Sequence, residues 1–126
     1  MSPSVRIAAV QARPQSELFD DMWNGGDVAH AVDLLEAAAR AGAACVCFPE
    51  LYPRVGEAEI RAAARRLGVF VVAGLIEGTR TSWHNTSTVI GPDGSVYATN
   101  NAALYCCVAS QPFRLPGIGS TPLRPA

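Results

Sequence analysis

Three short apolar runs, Val5–Val10, Ala43–Phe48 and Val69–Ile76, constrain this chain more than any other feature. Continuous apolar runs of this length fit β-strands buried on both faces. Between the first two lies Asp27–Ala41, where Val28, Ala31, Val32, Leu35 and Ala38 recur at helical spacing. Asp27 is placed to cap the start of that helix and Gly42 to end it. Between the second and third runs, Ile60, Ala63, Ala64 and Leu67 repeat the pattern within Glu57–Leu67. There Glu57 and Glu59 fall in the first turn, Arg65 and Arg66 in the last, and Gly68 follows, which matches the helix dipole at both ends. The order strand, helix, strand, helix, strand implies right-handed crossovers and a parallel sheet.

The next elements turn the sheet into a mixed one. Asn85–Ile90 and Ser95–Ala98 flank Gly91-Pro92-Asp93-Gly94, a sequence suited to a tight turn joining antiparallel strands. The long connection Gln11–Gly26 carries Phe19, Met22 and Trp23, read as a hydrophobic plug over the sheet edge, although long connections are often functional. From Thr99 onward the character changes. This stretch holds Pro112, Pro116, Pro122 and Pro125, no acidic residue and no clear period. Residues 1–98 are therefore expected to form the domain, and 99–126 an extended, loosely packed or disordered tail in which Leu104–Val108 adds at most a short strand or turn.

Composition narrows the chemistry. A chain of 126 residues can bury a sizeable core without disulfides or metal. All ten basic residues are arginine, so this sequence supplies no lysine for a Schiff base or a phosphate loop. A net charge of −1 with scattered arginines argues against a nucleic-acid surface. No run is long enough for a signal-peptide core or a membrane span, which makes the cytoplasm the expected location. The four cysteines, Cys45-x-Cys47 and adjacent Cys106-Cys107, match neither zinc spacings nor a secreted disulfide framework. On a strand, Cys45 and Cys47 point to the same face, and they read as two small buried hydrophobes. With two separated histidines, His30 and His84, and no convergent acids, no metal site or other cofactor is expected.

Glu50 is the first candidate for chemistry. It stands where the apolar run Ala43–Phe48 ends and the chain turns through Pro49 and Pro53. Ligands bind at the carboxyl ends of parallel strands, so a carboxylate there is placed for acid-base work, and position alone fits a solvated strand-end charge equally well. Glu77 reads as a solvated charge at the end of its strand. His84 is either a polar group facing a pocket or a surface histidine, and His30, beside the first helix cap, is expected to be exposed.

Taken in order, Val5-Arg6-Ile7-Ala8-Ala9-Val10-Gln11, Ala41–Phe48 with Pro49-Glu50-Leu51, Val71-Val72-Ala73-Gly74 to Glu77, and Asn85-Thr86 to Gly91-Pro92-Asp93-Gly94 resemble the carbon-nitrogen hydrolase, or nitrilase-like, family over about residues 5–97. The resemblance implies an α/β fold, the first half of a four-layer α-β-β-α sandwich, here a mixed sheet with two helices. It also implies hydrolysis of nitrile or amide carbon-nitrogen bonds other than peptide bonds by a glutamate base, a lysine and a nucleophilic cysteine. Glu50 matches the base. Where the family carries its lysine, this chain runs Tyr97-Ala98-Thr99-Asn100-Asn101-Ala102-Ala103-Leu104, and neither asparagine can supply a cation. Cys106 and Cys107 come too early, and lack the following Phe-Pro-Glu, to match the family's nucleophile.

The expectation is thus a truncated amino-terminal half that keeps Glu50, is inactive alone, and self-associates through the sheet face its other half would cover. The partner implied by the family is a small nitrile or amide, with no nucleic acid and no membrane. The alternative is a non-catalytic binding or assembly module using the same half-sandwich surface; an unrelated doubly wound ligand-binding domain is disfavoured because no glycine-rich phosphate loop follows Val5–Val10. The two main readings differ in geometry. A hydrolase half places Glu50 at the mouth of a cleft near Gly74 and Asn85, whereas a docking module leaves it fully solvated or pairs it with an arginine such as Arg54.

Overall fold

A computed structural model of the chain describes residues 3–14 and 21–102, the last two by backbone only. In chain order the elements are β1 (Ile7–Ala9), α1 (Val28–Arg40), β2 (Cys45–Cys47), β3 (Pro53–Arg54), α2 (Glu57–Leu67), β4 (Phe70–Gly78), β5 (Trp83–Ile90) and β6 (Val96–Ala102). The sheet runs β1-β2-β4-β5-β6, and β3 also pairs with β4. Strands β1, β2 and β4 are parallel, as are β3 and β4, whereas β4, β5 and β6 are antiparallel. This is the mixed α/β sheet with two helices that the alternation of apolar runs and helical periods implies.

Both helices form for the expected reasons. In α2, Ile60, Ala63 and Ala64 are buried, and Gly68, at φ 67°, closes the helix in a left-handed conformation while its N–H reaches the Ala64 carbonyl. In α1, Ala31 and Leu35 are buried on one stripe. The Asp27 side chain makes no cap hydrogen bond, contrary to expectation, because it is committed elsewhere. Both helices pack on one face of the sheet, where Val46, Val71 and Ile90 stand on one rung of the ladder, all fully buried, with Ala73 and Leu75 beside them.

The opposite face departs from the sequence reading. Its rung Ile7–Cys45–Phe70 faces away from the helices, leaving Ile7 63% and Phe70 38% exposed. Tyr97, 39% exposed, meets the Phe70 ring edge to face at 5.7 Å. Among the described residues this face is therefore open over β1 and the start of β4, while Ile76 farther along β4 is buried. Among the described residues β1 is an edge strand covered on one face, and Val5, just before it, is 70% exposed. Cys45 and Cys47 do share a face, but they are half-buried on this open side, and Val46 between them is the core residue. Burial pushes the Cys45 thiol up to about 11, with Cys47 alongside adding to the shift, so it is protonated and unreactive at neutral pH.

The hairpin turns at Gly91–Gly94 as expected, with the Gly94 N–H donating to the Gly91 carbonyl. β6 continues through Ala102, past the boundary expected at Ala98, because Thr99–Ala102 find ladder partners in Asn85–Thr88. Met22 and Trp23 are half-buried. Phe19, the tail after Ala102, and with it Leu104–Val108, Cys106 and Cys107, lie outside the described residues. No helix among the described residues is long and apolar enough to cross a membrane.

Candidate functional site

The site begins with a mismatch in strand length. Cys47 pairs with Val72 and Pro53 with Gly74, so β2 and β3 run along the same side of β4. Residues 48–52 thus stand opposite the single residue Ala73 and must leave the sheet plane. The loop is tied at both ends to β4: Phe48 N–H donates to Val72 O at 2.8 Å, and Gly74 N–H donates to Tyr52 O at 3.0 Å. It passes so close to β4 that a Cβ on Gly74 would lie 2.5 Å from Leu51 N and 2.6 Å from Pro49 O. Only glycine fits there. Leu51, at φ 54°, takes a left-handed conformation that makes the turn possible at a cost of about 1 kcal/mol or more.

Glu50 rides at the crest of this loop, on the face of the sheet that the helices leave open. Its carboxylate accepts a hydrogen bond from the side-chain amide of Asn85 on β5. Phe48, Pro49, Glu50, Gly74, Asn85, Thr86 and Ser87 line a cleft of about 240 Å³. Asn85 is itself buried, so its amide is a fixed donor, while Glu50 keeps solvent access. The result is an oriented carboxylate with room beside it for a ligand of a few heavy atoms.

Beneath the loop lies a buried polar group of residues. Arg54 and Asp27 form an ion pair at 3.1 Å with both side chains fully buried. The Tyr52 hydroxyl is 2.6 Å from His30 Nδ1, and burial, followed by the nearby Asp27 carboxylate, pushes the Tyr52 phenol up to about 12. His30 is therefore half-buried and engaged, not the exposed residue expected. Arg54 does not pair with Glu50. Its register partner Leu75 is buried among the core residues on the helix side, and the guanidinium meets Asp27 there.

The remaining candidates separate. Glu77 is half-buried and stands across from exposed His84, and strand alternation puts this pair on the face opposite Asn85, away from the cleft. No group of three or more His, Cys, Asp or Glu able to hold a metal occurs among the described residues. A larger groove of about 330 Å³ between α2 and the hairpin turn is lined by Arg61, Arg65 and Asp93. Arg61 spans it from Glu57 to the Gly94 carbonyl, so its polar groups hold the turn to the helix.

The sequence places Gly74 and Asn85 beside Glu50 at a cleft, as found, but does not reveal the Asn85 amide as its hydrogen-bond donor, nor the Asp27–Arg54 and His30–Tyr52 pairs. The signal was there in part, since Asp27 and Arg54 are charged residues next to apolar segments, but only the fold brings them within reach of each other.

The carbon-nitrogen hydrolase family profile matches residues 6–105. The chain belongs to the carbon-nitrogen hydrolase family. Among solved structures it is similar to an amidase from Nesterenkonia sp. AN1 in complex with acrylamide, with a TM-score of 0.64 and 22% identity, covering 83% of this chain and 47% of the amidase. A carbon-nitrogen hydrolase from Helicobacter pylori G27 aligns with a TM-score of 0.62 and 19% identity over 77% of this chain and 39% of the other. The C. elegans NitFhit protein aligns with a TM-score of 0.58 and 17% identity over 92% of this chain and 30% of its own length. The chain thus spans less than half the length of these structural relatives, and the likeness extends to the sheet and its two helices. No curated protein matches the chain significantly.

Proposed function

We propose that this chain supplies the glutamate-bearing part of a hydrolase site for a small amide or nitrile, with Glu50 as the general base. The observation that carries this reading is the Glu50 carboxylate, held by Asn85 at a cleft of about 240 Å³ on the open face of the sheet. A carboxylate so placed can take a proton from an attacking thiol, and later from the water that releases the acyl group. In one structure of the Nesterenkonia amidase, acrylamide has added to the active-site cysteine. In this chain the described cysteines, Cys45 and Cys47, do not line the cleft beside Glu50, and the sequence holds no lysine to steady charge on the substrate heteroatom.

The 126 residues alone are therefore inactive in this reading, a truncated form whose domain, with β6 continuing through Ala102, gives way to a divergent tail. It works in the cytoplasm on a small-molecule substrate, with neither nucleic acid nor membrane as partner, and self-associates through the open face. Mixing the chain with a fragment that carries the family's lysine and cysteine motifs tests this. Amide hydrolysis is expected from the mixture, lost with Glu50→Gln, and absent from the chain alone. A stable complex that hydrolyses nothing with either form removes Glu50 as a general base. The second reading, a docking module without chemistry, is favoured by the exposed Ile7, Phe70 and Tyr97, and predicts complex formation indifferent to Glu50→Gln.

A further inference from the structure

We propose that the buried Asp27–Arg54 pair is a positioning device for Glu50, acting from the helix side of the sheet on a carboxylate that works on the other side. The proposal rests on the reading of Glu50 as the functional carboxylate. Neither Asp27 nor Arg54 would touch substrate, so both are positioning residues.

Four observations converge. The loop 48–52 is longer than the gap it bridges, so something must choose one arrangement for it. Arg54 is the last residue of β3, directly after the loop's anchor, and holds φ 76°, a left-handed conformation that glycine would adopt with less strain. An arginine there is explained by its side chain and not by its backbone. Asp27 occupies the cap position of α1, yet makes no cap hydrogen bond and pairs instead with Arg54, both completely buried. A buried ion pair is a poor source of stability, since apolar residues of similar volume do as well or better, and its best-attested use is to fix one arrangement against alternatives. Finally, His30 lies one helical turn from Asp27 on α1 and meets the hydroxyl of Tyr52, whose own carbonyl accepts from Gly74. One helix face thus grips the chain on both sides of Pro53, and the loop between Phe48 and this double anchor presents Glu50 to Asn85.

The test reads the Asn85–Glu50 contact directly by NMR on the isotope-labelled full chain. The side-chain amide proton of Asn85 that is donated to Glu50 is expected to resonate downfield of a free amide, with Asn85→Ala providing the assignment and Glu50→Gln altering the position. In Asp27→Asn, and in Asp27→Leu/Arg54→Met, where an apolar pair replaces the ions and preserves packing, the downfield shift is expected to be lost while the other β4 and β5 amide signals persist. Arg54→Lys, which keeps the charge but not the planar fork, is expected to retain part of the shift. An unchanged Asn85 signal in either folded variant overturns the proposal. So does failure of both variants to fold, because the pair would then be a requirement of the fold itself. Loss of the shift together with an inactive reconstituted hydrolase leaves the positioning intact and sinks only the catalytic reading.

Discussion

The two faces of this sheet are made from the same strands and have opposite fates. Toward the helices, Val46, Val71 and Ile90 are sealed by Leu35, Ile60 and Ala64. Away from them, Ile7, Phe70 and Tyr97 remain in contact with water, and the Glu50 loop projects there. One face supplies the cohesion and the other presents the polar chemistry. The Asp27–Arg54 pair ties the two together, since its charges lie on the first side and its chain leads to the loop on the second.

The contrast is sharpest in the cost of truncating side chains. Leu35→Ala is expected to lower stability by about 2–5 kcal/mol in denaturant unfolding, against well under about 1 kcal/mol for Ile7→Ala. Equal costs, measured at concentrations where the chain sediments as a monomer, would mean that other residues of the chain cover the open face. Gly74→Ala comes next, at about 1–3 kcal/mol, because the new methyl meets backbone atoms of Pro49 and Leu51 that cannot swing aside. It should also shift the Asn85 and Glu50 signals more than those of α2, and a shift confined to the mutated residue would show that the loop is not seated on β4 as described.

A pH experiment probes the polar side of the comparison. The Tyr52 phenol is raised from an ordinary value near 10 to about 12. Its contribution is complete below the unfolded value, where the phenol is neutral in both states. It is lost as pH rises through the window between the two values, because there the unfolded chain ionises first. The fall is of order 2 kcal/mol. Cys45, raised from 9 to about 11, adds a slope of the same sign, so the effect is read as the difference between Tyr52→Phe and the parent chain. Identical pH dependence in the two would place the Tyr52 hydroxyl in water. The smallest effect is expected from Ile7→Ser with Phe70→Ser: stability changes of about 0.5 kcal/mol per site, with reduced self-association in sedimentation. Association that survives both changes would move the contact off the open face.

Much of the fold was legible because periodicity is a local signal. The spacing of Ile60, Ala63 and Ala64 and the charges at its ends predict α2 to the residue, and Pro92 with Gly94 marks the hairpin turn. What was hidden depends on the neighbours of a strand, not on its composition. The run Val5–Val10 looks like a strand with two covers, and only the sheet order reveals that among the described residues it is an edge covered on one side. Glu50 could be singled out from its place after an apolar strand, and Gly74 and Asn85 as its neighbours, although both lie within β4 and β5 and not at their ends. Asp27 looked like a helix cap because capping is a local rule, and its true partner is 27 residues away, beyond the reach of any local pattern.

The loop fastened at both ends to one strand has an evolutionary consequence. Because β2 and β3 each keep their own register with β4, the residues around Glu50 between Phe48 and Tyr52 can be gained, lost or exchanged without re-threading the sheet. Such a segment behaves as an interchangeable cartridge, whose length and shape can drift to suit new ligands while the fastening points stay still. Gly74 sets the limit on that freedom, since any replacement loop must still lie flat across a position that tolerates no side chain.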